Sequence, residues 1–149
     1  MIVLLQRVTR AAVEVDGECV GSIGRGLLIF LGIERGDGEA QMRRLADRTA
    51  RYRCFPSDDG SKPMDRSLLD LGLEALVVSQ FTLCATTTKG LRPGFDKAAE
   101  PVLANALYEA FATELSRLGV SRVESGSFQA HMEVSLVNDG PVTLWLEQR

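Results

Sequence analysis

The stretch LEALVVSQFTL, residues 73–83, is the most hydrophobic in the chain and is expected to form the central strand of a sheet. A second run, LLIFLGI at 27–33, reads as another buried strand. Ahead of it, residues 2–8 and 11–15 alternate or run apolar, and Asp16-Gly17 supplies a tight-turn signal. These pieces point to an antiparallel N-terminal sheet. Residues 52–55 are expected to add a short strand. Residues 132–137 and 142–146 should give two more, parted by a turn at Asn138-Asp139-Gly140-Pro141.

Helical spacing occurs twice. Met42, Leu45, Ala46 and Thr49 share one helical face, with Asp37 as the expected cap. Pro101, tolerated in a first turn, precedes Leu103, Leu107, Phe111, Leu115 and Leu118, and Gly119 ends the segment. Two main helices stand among seven or eight strands, without the alternating βαβ order of a nucleotide-binding sheet. That pattern predicts an α+β fold, an antiparallel curled sheet or open β-barrel-like domain. A chain of 149 residues fits one domain spanning 1–149.

Hydrophobic residues make up 45% and charged residues 25%, which is ordinary for a folded domain and unlike a disordered one. The opening MIVLLQRVTR turns basic too soon for a signal peptide or a membrane span. Cys19, Cys54 and Cys84 are odd in number, widely spaced and without a CxxC pair. A cytoplasmic protein with reduced thiols and no membrane association is expected. A net charge of −3 gives no general attraction for nucleic acid, although residues 43–97 hold 10 Lys or Arg against 7 Asp or Glu. The arginine run at 43, 44, 48, 51 and 53 reads first as a solvated helix face.

The common chemical signatures are missing. No GxxxxGK[ST] loop is present, and the glycines at 21, 24 and 26 lie between two strands, so no nucleotide cofactor is expected. His131 is the only histidine and the acids lack ligand spacing, so no metal is expected either. A nucleophile at Ser79 or Thr82 with His131 as base finds no GxSxG elbow. On an extended strand Ser79 and Thr82 would point to opposite faces, and hydroxyls pairing within the sheet are the plainer reading.

VVSQFTLCA at 77–85, GLRPGF at 90–95 and SLVNDGPVTLW at 135–145 together resemble the D-aminoacyl-tRNA deacylases, whose signatures are Ser-Gln-Phe-Thr and Gly-Pro-Val-Thr. The likeness extends to the opening LLQRVTRAAVEVDGE and covers essentially the whole chain. It implies hydrolysis of the ester joining a D-amino acid to the terminal adenosine of tRNA, with aminoacyl-tRNA bound by its acceptor end and no cofactor. It also implies a homodimer. Ser79, Gln80, Phe81 and Thr82 of one subunit would form one wall of each site, and Gly140 and Pro141 of the other subunit the opposite wall.

An aminoacyl ester is already activated, so orientation and oxyanion stabilisation can suffice. By resemblance, the backbone amides near Phe81 and Thr82 face the scissile carbonyl and the substrate 2′-hydroxyl helps activate water. A cis Gly140-Pro141 bond would aim its carbonyls at the α-ammonium and leave no room for an L side chain. Achiral glycine, as in glycyl-tRNA mischarged on tRNA for alanine, would then pass. The same resemblance makes Arg7 the residue that locks this motif and Met132 a pocket residue. Without it, a strand-edge arginine and a core methionine are the plainer readings. Lys89 and Arg92 would meet the tRNA acceptor end, or serve only solubility. At Lys62-Pro63-Met64-Asp65 the chain departs from the family pattern.

Overall fold

The computed structural model describes all residues, Met1–Arg149. Strand β1 (Ile2–Val15) is long enough to organise the sheet, because it carries a partner on each edge. Along one edge it pairs antiparallel with β2 (Glu18–Ile23) and with β3 (Gly26–Gly32). The two-residue turn between β1 and β2 is Asp16-Gly17, both at positive φ, 52° and 81°, as a tight hairpin of this hand requires. Along its other edge runs β6 (Glu133–Glu147). The sheet continues from β3 through β4 (Glu74–Ser79) to β5 (Arg122–Ser125) and curls until it is nearly closed into a barrel.

The predicted α+β class with a curled, barrel-like sheet holds, but the sheet is mixed. β3–β4 and β4–β5 pair in parallel. Parallel neighbours need crossovers, and these are made by α1 (Glu39–Ala50) with the short α2 (Leu68–Leu71), and by α3 (Pro101–Arg117). Crossovers of the βαβ kind are therefore present, contrary to the sequence reading. Long polar segments between strand and helix hide them from the pattern.

Period-two alternation sends β3 and β4 side chains into two cores. Leu27, Ile29, Leu31, Ala75 and Val77 face α1 and α3, meeting Leu45, Leu107, Phe111 and Leu115. Leu28, Leu76 and Val78 face the barrel interior with Val8, Val13 and Ile23. Burial on both faces explains why these strands read as unbroken apolar runs.

Several local expectations change. Residues 52–55 form no strand; Phe55 makes only an isolated bridge to Arg66. Asp37 does not cap α1, whose N-cap is Gly38; its carboxylate instead accepts from the Met1 α-ammonium at 2.8 Å and the Glu34 amide at 2.7 Å. The run at 73–83 is strand only to Ser79, and Phe81–Cys84 coil into a single 3-10 turn. The two C-terminal strands are one. Between the pairs Gln6↔Thr143 and Val8↔Asn138, β1 advances two residues and β6 five, so the Asp139–Pro141 region bulges from a continuous strand. A proline fits there because a bulged residue owes no amide to the ladder. No helix is long and apolar enough to cross a membrane.

Candidate active site

The chain turns sharply where β4 ends, and β3 fixes the turn. The Gln80 amide donates to Leu31 O at 2.8 Å. Beside that bond, Gly32 lies so close to the 3-10 turn that a Cβ there would stand 3.0 Å from Leu83 Cβ and 3.3 Å from Gln80 O. Phe81 and Thr82 are the first residues of this turn, where amides have no partner within the helix, and no side chain caps them. The Gln80 side-chain amide donates to Thr82 Oγ1, tying the two polar side chains together. Cys84 anchors the far end of the turn in the interior, its Sγ 3.4 Å from Ile33 O. Burial pushes its thiol up to about 11, with Glu34 adding to the shift, so Cys84 stays protonated and unreactive.

This turn lines one side of a cleft of about 750 Å³, within the usual range for small-ligand sites. Ser79, Gln80 and Phe81 stand there with Leu31 and Val78; Ala98, Ala99 and Pro101 lead into α3; Phe128–Met132 and Val134 form the opposite side. The segment after β5 is held by α3. Tyr108 Oη lies 2.9 Å from Val77 O and 3.1 Å from Gly126 O, and burial raises its phenol above the ordinary value. A Cβ on Gly126 would meet Met132 Sδ at 2.7 Å, so glycine there lets the methionine settle against the barrel interior.

Of the residues singled out in the sequence, Ser79, Gln80, Phe81 and Met132 meet at this cleft, and Thr82 does not line it. Gly140 and Pro141 do not line the cleft of their own chain. They sit on the β6 bulge, and the peptide bond between them is cis. Arg7 is not at a sheet edge: it is buried, with strands on both sides of β1. Its Nη1 donates to Cys54 O at 2.7 Å, and its Nε lies 2.9 Å from Asp139 Oδ2 and 3.2 Å from Asp139 O. A fork of this kind fixes the bulge directly beside Gly140.

Lys89 and Arg92 are exposed on the loop after the turn, closed as a hairpin by Thr86 and Gly94. Lys62 and Asp65, flanking the departure noted above, pair across 3.5 Å. Val142 and Leu146 pack in the core of their own chain and so do not face a partner. His131, weighed in the sequence as a base for Ser79, is exposed and lines the cleft, yet it makes no hydrogen bond to Ser79. Gly32, Tyr108 and Gly126 also shape the site, and no motif in the sequence announces them.

The family model described as D-Tyr-tRNA(Tyr) deacylase matches residues 4–147. A protein of Roseiflexus castenholzii named D-aminoacyl-tRNA deacylase is 55% identical over 147 residues, covering 99% of this chain and 92% of that one. One of the same name from Psychromonas ingrahamii is 51% identical and is covered over 99% of its length, as is this chain. Among solved structures, one titled c-Myc DNA Unwinding Element Binding Protein superposes with a TM-score of 0.95 at 37% identity, covering 100% of this chain and 99% of that one. Another, titled as a probable eukaryotic D-amino acid tRNA deacylase, has a TM-score of 0.82 at 19% identity with 97% of each chain covered, a likeness of fold.

Proposed function

Because the chain belongs to the D-aminoacyl-tRNA deacylase family and is a hydrolase of the aminoacyl-tRNA ester, we propose that one domain spanning 1–149 performs chiral proofreading with main-chain atoms at a subunit boundary. The terminal aminoacyl-adenosine enters the cleft beside Ser79, Gln80 and Phe81. The first-turn amides of Phe81 and Thr82 stabilise the oxyanion that develops as water adds to the ester carbonyl. The leaving group is the ribose 3′ oxygen of tRNA, and the neighbouring 2′-hydroxyl helps activate the water. Removing one such oxyanion donor typically costs about 10²–10³ in rate, so amides alone are enough to matter.

Selection lies opposite, on Gly140 and Pro141 of a second subunit, which receive the α-ammonium and leave no space for an L side chain. Arg7 holds that motif and Met132 lines the pocket. Because backbone does the rejecting, varied D-aminoacyl groups pass, and so does glycine, including glycyl-tRNA mischarged on tRNA for alanine. Lys89 and Arg92 meet the acceptor end, and the protein works in the cytoplasm. The reading rests on one observation above all: the chain that leads into the uncapped 3-10 turn lines the cleft at Ser79, Gln80 and Phe81, and Ser79 and His131, both at that cleft, form no hydrogen bond that would pair a nucleophile with a base.

The test is cleavage of D-Tyr-tRNA and L-Tyr-tRNA side by side. The D substrate should be cleaved and the L substrate spared, and Ser79→Ala and His131→Ala should retain most activity. Equal rates on both, or cleavage of neither, would sink the reading. Abolition by both alanine variants would point instead to a serine esterase.

A further inference from the structure

Beyond the cleft, the ring of Phe81 has a second neighbour. It is 59% exposed, and it meets Phe95, 36% exposed, edge-on with ring centroids 4.9 Å apart. One ring of the pair lines the cleft and the other lies outside it, at the foot of the hairpin closed by Thr86 and Gly94. The hairpin carries the fully exposed Leu91 between Lys89 and Arg92. Neither cation takes part in any of the ion pairs of the fold. From Phe81 to Phe95 the chain contains no Asp or Glu. Asp96, the nearest acid in sequence, lines a polar hollow with Lys97, Met1 and Arg149; one of its carboxylate oxygens stands 3.6 Å from where a Cβ on Gly94 would be, at the base of the hairpin, and it forms no ion pair with Lys89 or Arg92.

Exposed aromatic faces beside unpaired cations are the chemistry by which proteins hold single-stranded nucleic acid. Bases stack on the rings, and the positive charge follows the phosphates. In the single chain the two rings cover each other only edge-on, and they and Leu91 keep apolar surface uncovered on a segment that carries cations without a carboxylate partner.

We infer that Phe95, with the outer side of Phe81 and with Lys89 and Arg92, forms a stacking subsite for the unpaired nucleotides that precede the terminal adenosine. This deepens the reading above and rests on it, since the terminal aminoacyl-adenosine must occupy the cleft for the preceding nucleotides to reach Phe95. The subsite adds affinity for the tRNA strand without reading its sequence, because every base has a stacking face. It makes the length of the single strand, as well as the amino acid, part of what the enzyme recognises.

The experiment compares two substrates, D-Tyr-tRNA and the minimal ester D-tyrosyl-adenosine, on Phe95→Leu, Phe95→Trp and the pair Lys89→Ala/Arg92→Ala. Leucine keeps an apolar contact for Phe81 and removes the stacking face. For Phe95→Leu, kcat/KM on D-Tyr-tRNA should fall about tenfold further than on the minimal ester, the loss carried mainly by KM. Phe95→Trp should retain the wild-type preference for tRNA. The double alanine variant should flatten the salt dependence of kcat/KM on tRNA, because fewer phosphate contacts release fewer counterions. Equal losses on the two substrates, an unchanged ratio, or a Phe95→Leu protein that elutes at a smaller size would each overturn the inference, the last by making the patch a subunit contact. Failure of the wild type to cleave either ester would overturn the functional reading instead.

Discussion

Gly32 is where β3 must pass beneath the 3-10 turn, and a methyl group there meets Leu83 Cβ, Cys84 Sγ and Gln80 O at 3.0–3.3 Å. Two of these belong to, or move only with, the backbone, so an added Cβ shifts the turn itself. Gly32→Ala should destabilise the protein by about 1–3 kcal/mol. Its effect on the reaction should be larger, with kcat falling about ten- to a hundredfold, since misplacing reacting groups by a fraction of an ångström is costly. Denaturant midpoints and single-turnover rates on D-Tyr-tRNA separate the two effects, and a variant that loses stability but keeps kcat would disprove the link. Nothing in the sequence marks this glycine, because its neighbours come from a segment far along the chain. Thr82 does stand apart from Ser79 at the cleft, but not for the reason the sequence offered. Alternation along a presumed strand set it opposite Ser79, whereas the strand ends at Ser79 and the 3-10 turn resets every direction after it.

Elements with a clear period were legible and their partnerships were not. The face Met42–Leu45–Ala46–Thr49 is buried as its spacing requires, and of the second face Leu107, Phe111 and Leu115 are buried, Leu118 is half-buried and Leu103, in the first turn that Pro101 opens, is exposed. What stayed hidden is that α1 and α3 serve as crossovers, since strand direction is a property of pairing and leaves no mark on the strand. The C-terminal bulge was hidden for a related reason: the turn-forming residues at 138–141 signal a local bend, and only the register with β1 shows that the strand resumes in line. Tyr108 shows how α3 serves the site. Its hydroxyl joins the ends of β4 and β5 at Val77 O and Gly126 O, beside the segment that forms the far side of the cleft. Tyr108→Phe should cost about 1 kcal/mol and should speed amide exchange around Gly126. Burial raises the phenol above its ordinary 10, so its contribution is complete below pH 10 and is lost as pH rises through the higher folded value. The variant should therefore lose less stability than the wild type as pH rises above 10, and an identical alkaline slope would refute the assignment.

At the scale of the molecule, the two halves of the proposed site are separated within one chain. The Ser79–Phe81 turn opens to the cleft, and Gly140-Pro141 stands on the β6 bulge fixed by Arg7 and does not line it. Folding alone leaves Gly140-Pro141 away from the cleft, and under the proposed reading a two-fold pairing would let each chain complete the other, because an isologous interface makes every contact twice. That separation is not visible in the sequence, where the motifs carry no record of their distance in space. Phe81→Pro removes the first amide of the turn at a helix position that accepts proline, after a Gln80 already out of the helical region at φ −143° and ψ 78°. Replacing both Gly140 and Pro141 with alanine removes the opposite wall. Each variant alone should be inactive or unselective. Mixed in equal amounts and allowed to exchange subunits, half the dimers are hybrids and each hybrid holds one intact site. D-selective deacylation should therefore recover to about a quarter of the wild-type rate per site, as isologous symmetry demands. A site built from one chain cannot be restored by mixing, so a mixture no more active than its components would show that each subunit works alone.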